Sequence, residues 1–392
     1  MAKRRIYFDN AATSFPKPPG VHDAMMHYAR HIGASAGRGA YHEAVEASEI
    51  IHQARRRLAQ FLGASQPESI IMTFNCTDGL SLAIKGLITE PNSHIITTTM
   101  EHNSVLRPLS ALQEQLGIEV TYLQADNEGF IDPEDIRQAI RKNTRLITVV
   151  HGSNVCGSVQ DIASMGIIAR EYDIPFLVDA AQTVGHLPID VQEIPIDMLA
   201  FPGHKALLGP LGTGVLYIRP GFETRLRPLK EGGTGSTSEI PRQPDFLPDR
   251  FESGSHNLIG IAGLNAGVEF LLERGMDRIR SHEVELCQAF LSHTEKVDGL
   301  TVYGPCDVDK RVGVFSVSIG GYEPGELAAV LEQQFSLLTR SGLHCAPYAH
   351  ETLGTFDQGG TVRFSMGPFL SQEDVAYATD ALKQIAYATD TN

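Results

Sequence analysis

Phe176-Leu177-Val178-Asp179-Ala180-Ala181-Gln182 is followed by a second apolar run, Met198-Leu199-Ala200-Phe201, that opens into Pro202-Gly203-His204-Lys205. A short apolar run without alternation is the mark of a strand buried on both faces, and such strands belong to parallel sheets covered by helices. Outward from this pair the pattern repeats. Strand candidates at Ser69–Phe74, His94–Thr99, Glu119–Leu123, Leu146–His151 and Gly214–Ile218 join Phe176–Asp179 and Met198–Phe201, with helix candidates at Thr77–Leu87, Val105–Leu116, Pro133–Arg141 and Ile162–Tyr172 between them. The helix over 133–141 has an explicit start, Asp132-Pro133-Glu134-Asp135, with a cap, a proline in the first turn and acids at the positive end. This alternation predicts an α/β fold whose large domain holds a mostly parallel seven-stranded sheet.

A stretch rich in Gly, Pro and Ser, from Gly232 to Gly254, breaks the pattern and predicts an extended loop. Beyond it a helix over Leu258–Glu273 leads into a smaller α+β domain, with strands near Val314–Ile319 and Thr361–Ser365 and a last helix at Gln372–Ala386. The expected division is a large domain over residues 16–265 and a small C-terminal domain over 266–392, completed by residues 1–15.

The chain has 392 residues, 42% of them apolar, and a formal net charge of −15. That charge would be repelled by nucleic acid and by anionic membrane, which leaves a small-molecule substrate as the better fit. Five cysteines, Cys76, Cys156, Cys287, Cys306 and Cys345, form an odd set with no Cys-x-x-Cys, so neither a disulfide framework nor a metal site is expected. Lys3, Arg4 and Arg5 are followed within a few residues by Asp9-Asn10, so no apolar signal core develops, and no stretch approaches transmembrane length. The expected location is the cytoplasm.

In a doubly wound sheet, ligands gather at the carboxyl ends of the strands. The polar motifs of this chain gather there too. Asn75-Cys76-Thr77-Asp78-Gly79 opens a helix whose free N–H groups suit a phosphate, with the Thr77 hydroxyl as a further donor or simply as a cap. Glu101-His102-Asn103 places an imidazole that can stack on a flat ring or serve the fold. Asn154, in Ser153-Asn154-Val155, offers an amide, although it would also suit a turn. Asp179 and Lys205 differ in kind. A carboxylate after Phe-Leu-Val is costly to bury without a cation, and a pyridinium nitrogen supplies one. A glycine-flanked lysine at the next strand end can form a Schiff base with an aldehyde. Together they point to pyridoxal 5'-phosphate (PLP).

Set in order, Tyr7-Phe8-Asp9-Asn10-Ala11-Ala12-Thr13, Glu101-His102-Asn103, Ser153-Asn154-Val155, Val178 to Gln182, Gly203-His204-Lys205, Arg250-Phe251-Glu252, Gly342-Leu343-His344-Cys345-Ala346 and Val362-Arg363-Phe364-Ser365 resemble the class V, fold-type I PLP enzymes. Within that class they resemble the cysteine desulfurase and selenocysteine lyase family. The resemblance implies that Lys205 carries PLP, Asp179 pairs with its nitrogen, Gln182 bonds its hydroxyl and His102 stacks on the ring as part of the catalytic set. It implies that Thr77 and His204 hold the phosphate, beside Cys76 in the same cofactor loop, and that Asn154 and Arg363 take the substrate carboxylate near Asn10 and Ala11. It also implies a homodimer in which Ser255 reaches the partner subunit's phosphate. The reaction it implies turns L-cysteine into L-alanine, with the sulfur captured as a persulfide on an enzyme cysteine and passed to an acceptor protein. L-Selenocysteine is the alternative substrate, and class V aminotransferases share the scaffold.

Such a reaction needs an accessible thiol on a loop near the cofactor. Cys345 fits, in Arg340-Ser341-Gly342-Leu343-His344-Cys345 and ahead of Arg363. Cys287 reads as a helix residue, and Cys306 follows Gly304-Pro305 in a turn. Three departures from the family pattern stand out: Val362 directly before Arg363, where the type II desulfurases carry the attacking cysteine, so that the resemblance implies a type II-like loop with a type I-like nucleophile position at Cys345; Pro202 where relatives often have serine or threonine; and Cys76 where threonine is frequent.

Overall fold

Strands Phe176–Asp179, Met198–Pro202 and Gly214–Ile218 are buried along their whole length, because side chains on both faces of the sheet are covered. In the computed structural model, which describes residues 4–37 and 39–389, they belong to a seven-stranded sheet. Its order across the sheet is 70–73, 214–218, 198–202, 176–179, 144–150, 94–98 and 119–123. All neighbours run parallel except Gly214–Ile218, which is antiparallel to both of its partners. Successive residues serve opposite faces: Phe176 and Val178 enter one core, while Leu177 enters another with Met198 and Ala200. The expected mostly parallel sheet is therefore observed, with one antiparallel strand inside it.

A second sheet is antiparallel and four-stranded, in the order 340–342, 361–365, 314–319 and 300–303. It has its own core, in which Phe290 stacks on Phe315 with ring centroids 4.3 Å apart and Phe364 packs beside them. Ile6 and Phe8 join that core from the start of the chain. The boundary expected at 265/266 cuts the helix Leu258–Arg274, whose Val268 and Leu271 pack in the first core. We propose that the division between the two units lies after this helix. From Leu226 to Asn257 the chain forms neither helix nor strand, as its composition predicts.

Where sequence and structure differ, the reasons are local. The helix starting at Pro133 ends at Ala139, because Ile140 is extended and the Thr144 hydroxyl receives the Arg141 N–H. The next strand starts at Thr144 rather than Leu146, since Thr144 pairs with His94 across a bulge. Helices Pro19–His27, His42–Phe61 and Pro324–Phe335 were not anticipated, whereas Met276–Thr294 holds Cys287, which reads as helical in the sequence.

The two sheets meet at the loop after Thr144–Val150. Its consecutive carbonyls are all taken by the smaller unit: Asn154 O by Arg363 Nη1 at 3.1 Å, Val155 O by Ser316 Oγ at 2.8 Å, Cys156 O by Arg311 Nη2 at 3.2 Å and Gly157 O by Val312 N–H at 2.9 Å. Arg311 is fully buried, lies 3.8 Å from the centroid of Phe315 and also donates to Pro305 O and to Val314 O. No helix among the described residues is long and apolar enough to cross a membrane.

Candidate active site

Asp179 is the last residue of its strand, and Lys205 lies just past the end of the neighbouring one. Parallel neighbours with adjacent carboxyl ends bring both into one cavity. The same cavity is lined by Ala11, Cys76, Thr77, His102, Asn154, Gln182, His204, Cys345 and Arg363, so residues spread from one end of the chain to the other converge. Two of the expected site residues do not reach it within one chain. Asn10 is buried nearby, its amide donating to Tyr7 O and Ser365 O and its oxygen accepting from Phe15 N–H, so it fixes the N-terminal segment instead. Ser255 is exposed and borders a different depression, with Phe74 and Asp78.

Asp179 Oδ1 accepts the Ala181 N–H at 3.0 Å and lies 3.6 Å from Cys76 Sγ. Burial raises the Asp179 pKa above the usual carboxylate range, and burial beside that anion pushes the Cys76 thiol well up. Burial likewise pulls the Lys205 amine below its ordinary range. An amine shifted toward its neutral form is the nucleophilic form, and a buried carboxylate with no full cation on it suits a protonated ring nitrogen. Among the described residues, three buried polar atoms around the same cavity have no partner: His204 Nδ1, Asn154 Oδ1 and Arg363 Nε. Arg363 Nε can only donate, Asn154 Oδ1 can only accept and His204 Nδ1 can do either, a mixed set that fits a cofactor with both anionic groups and polar edges.

His102 does two jobs. Its Nδ1 caps the helix Asn103–Leu116 by accepting the Ser104 N–H, and its ring lines the cavity. Burial and the nearby Lys205 charge push its pKa down to about 3, so the ring is neutral. Thr77 is not the cap of its helix, because Asn75 takes that role by accepting the Asp78 N–H. The Thr77 hydroxyl is 2.7 Å from Ser104 Oγ, which in turn lies 2.9 Å from His102 Nδ1. Gln182 Nε2 donates to Ala11 O at 3.0 Å.

Arg363, buried in the middle of Thr361–Ser365, has its guanidinium oriented by Asp9 Oδ1 at 2.8 Å and by Asn154 O. Arg340 lines the cavity as a second cation that the sequence reading did not single out. Its signal was its place at the head of the Arg340–Cys345 segment. Cys345 is exposed at the cavity, whereas Cys76, Cys156 and Cys287 are buried. The chain from Leu343 to Ala346 makes a turn closed by Ala346 N–H to Leu343 O at 2.9 Å, with His344 at φ +48° and Cys345 at φ +58°. Two consecutive left-handed residues are the requirement of a type I′ turn, which favours Asn-Gly. A histidine and a cysteine there cost roughly 1–3 kcal/mol each and persist only where surrounding contacts fix them.

Residues 6–377 match the aminotransferase class-V family, and the chain belongs to that family. Membership implies PLP dependence. Within it, similar proteins include cysteine desulfurases. A probable cysteine desulfurase of Methanothermobacter thermautotrophicus is 34% identical over 389 residues, covering 98% of this chain and 96% of that protein. One of Pyrococcus abyssi is 35% identical over 390 residues, covering 97% and 94%. The apo structure of a cysteine desulfurase from Thermococcus onnurineus NA1 superposes with a TM-score of 0.92 at 34% identity, covering 98% of this chain and 95% of that one.

Proposed function

We propose that the protein is a PLP-dependent cysteine desulfurase, in which sulfur leaves L-cysteine for Cys345. The observation that carries this reading is a single cavity holding Lys205, Asp179, Arg363 and the exposed thiol of Cys345. Bound there, PLP supplies an electron sink for the substrate's α-carbon. Lys205 Nζ would hold its aldehyde end, Asp179 its ring nitrogen, Gln182 its hydroxyl and His102 one face of its ring. Thr77 and His204 would take its phosphate at the mouth of the helix Cys76–Leu87, whose free N–H groups face an anion favourably. Cys76 would support Asp179 from behind.

Arg363 and Asn154 would take the substrate carboxylate, with Ala11 alongside. Lys205 would take and return the α-proton. The Cys345 thiolate attacks the substrate sulfur: an S–S bond forms, the Cβ–S bond breaks, and the electron pair of the broken bond stays with the carbon fragment. That fragment takes up a proton and leaves as L-alanine, while Cys345 keeps the persulfide for an acceptor. With its five cysteines free, the chain suits a reducing compartment such as the cytoplasm. A homodimer would bring Ser255 to the partner's phosphate site.

The test is product analysis after incubation with L-cysteine and, separately, L-selenocysteine, using protein that shows the visible PLP band and a Lys205→Ala variant that lacks it. Alanine from L-cysteine in the wild type alone supports the reading. Alanine from L-selenocysteine only would make the protein a selenocysteine lyase, and a keto acid product would make it an aminotransferase.

A further inference from the structure

The strained turn that carries Cys345 is held by a chain of side chains running away from the cavity. His344 Nε2 lies 3.3 Å from Arg340 O, which can only accept, so Nε2 bears the proton and Nδ1 is an acceptor. His344 Nδ1 is 3.2 Å from His350 Nε2, and the two rings stack at 5.4 Å. His350 must therefore donate from Nε2 and accept at Nδ1, where Thr355 Oγ1 sits at 2.7 Å. His344, His350 and Thr355 are all buried, and burial beside the Arg363 charge keeps both rings neutral. His350 and Thr355 do not line the cavity.

The backbone of the turn is anchored separately. Asn154 Nδ2 donates to His344 O at 2.7 Å, and Cys345 O accepts the Asn103 N–H at 2.8 Å. These bonds fix the two carbonyls, whereas the His350 bond fixes the side chain of His344 and with it the ring plane. Because His344 and Cys345 occupy the two central positions of one tight turn, rotation of the first swings the second.

We propose that His350, set by Thr355, is a positioning residue of the sulfur-transfer step: its bond to His344 holds the left-handed turn that presents Cys345 to the substrate sulfur. This rests on the reading of Cys345 as the sulfur acceptor. His350 and Thr355 do not line the cavity, and Asn154 is tied to the His344 carbonyl rather than to its ring, so losing the His350 bond should slow transfer without weakening binding.

The test uses the PLP-loaded protein with His350→Phe, His350→Gln and Thr355→Val. In His350→Phe the visible band and its change on adding L-cysteine should match the wild type, and KM should stay within about twofold. The single-turnover rate of persulfide formation on Cys345 should fall roughly 10- to 100-fold. His350→Gln, which keeps a donor near Nε2, should recover most of that loss, and Thr355→Val should show a smaller loss in the same direction. Independently of activity, the rate of Cys345 alkylation by iodoacetamide and the amide hydrogen exchange of residues 343–346 should change in His350→Phe and revert in His350→Gln. If the wild type made no persulfide, these two readouts would still decide the positioning role. Unchanged transfer and alkylation in His350→Phe would overturn the proposal, as would a loss of cofactor band and thermal stability in parallel with activity that His350→Gln does not rescue. Should His350→Phe fail to fold, Thr355→Val with wild-type transfer and alkylation rates would overturn it equally.

Discussion

Arg363 Nη2 lies 2.8 Å from Asp9 Oδ1, so the buried guanidinium between the two sheets is oriented before any substrate arrives. Its other Nη is spent on Asn154 O, and Nε has no partner. A planar fork fixed in this way suits a carboxylate. Arg363→Lys keeps the charge but not the fork, and should raise KM for L-cysteine roughly 10- to 100-fold, the value of one or two charge-assisted bonds. The visible PLP band should be unaffected. An unchanged KM in steady-state kinetics would move the carboxylate to another group, with Arg340 next in line.

Arg311 ties the loop of Asn154 to the smaller unit through Cys156 O, Pro305 O and Val314 O. Arg311→Met fills similar volume but leaves these buried carbonyls short of donors, so unfolding free energy should fall by about 2–4 kcal/mol. Denaturant titration checks this. A loss below about 0.5 kcal/mol would mean that the clasp adds nothing to stability.

Much of this was legible in the sequence because the informative residues sit where chemistry and backbone coincide. The strands over 176–179, 119–123, 214–218, 314–319 and 361–365 have the bounds expected of them. The helix His42–Phe61 was missed although Ala44, Ala47, Ile51, Ala54 and Leu58 are buried at helical spacing, because small alanines make a weak apolar stripe. The antiparallel placing of Gly214–Ile218 has no local signal, since a fully buried strand reads alike in either direction. The convergence of Lys205, Asp179 and His102 followed from the rule that ligands gather at strand ends, whereas Arg363, in the middle of a strand of the smaller sheet, was expected only from the family resemblance. Asn10 does not line the cavity of this chain, because Ser365 O and Phe15 N–H take its side chain, and a motif does not disclose which of its residues the backbone consumes. The His344–His350–Thr355 chain and the left-handed turn were beyond reach, as they depend on tertiary contacts alone.

Two sets of buried groups give stability opposite dependences on pH. Burial lowers the pKa of His151 from 6.5 to about 4 and that of His350 to about 4. The unfolded chain then binds protons that the folded one refuses, so their contribution is present above pH 6.5 and is lost as pH falls through about 4. Each is worth roughly 3 kcal/mol across that window. Glu101 behaves in the reverse sense: burial raises its pKa from 4.5 to about 8, so its contribution is present at low pH and is lost as pH rises through about 8. Denaturation midpoints should fall on both sides of an optimum near pH 6.5, and Glu101→Gln should flatten the decline toward pH 8 while steepening the acid limb, where its term opposes that of the histidines. An alkaline limb that persists in Glu101→Gln would show that another group governs it.

The destination of the substrate sulfur distinguishes Cys345 from every other thiol of the chain. Holoenzyme given one equivalent of L-cysteine in the absence of acceptor or reductant, then digested and mapped by mass spectrometry, should carry one added sulfur atom on the Cys345 peptide, with a matching amount of L-alanine. Cys345→Ser should keep the visible PLP band and carry no added sulfur. Sulfur mapped to Cys76, Cys156, Cys287 or Cys306 in the wild type, or full alanine production by Cys345→Ser, would contradict the role of Cys345.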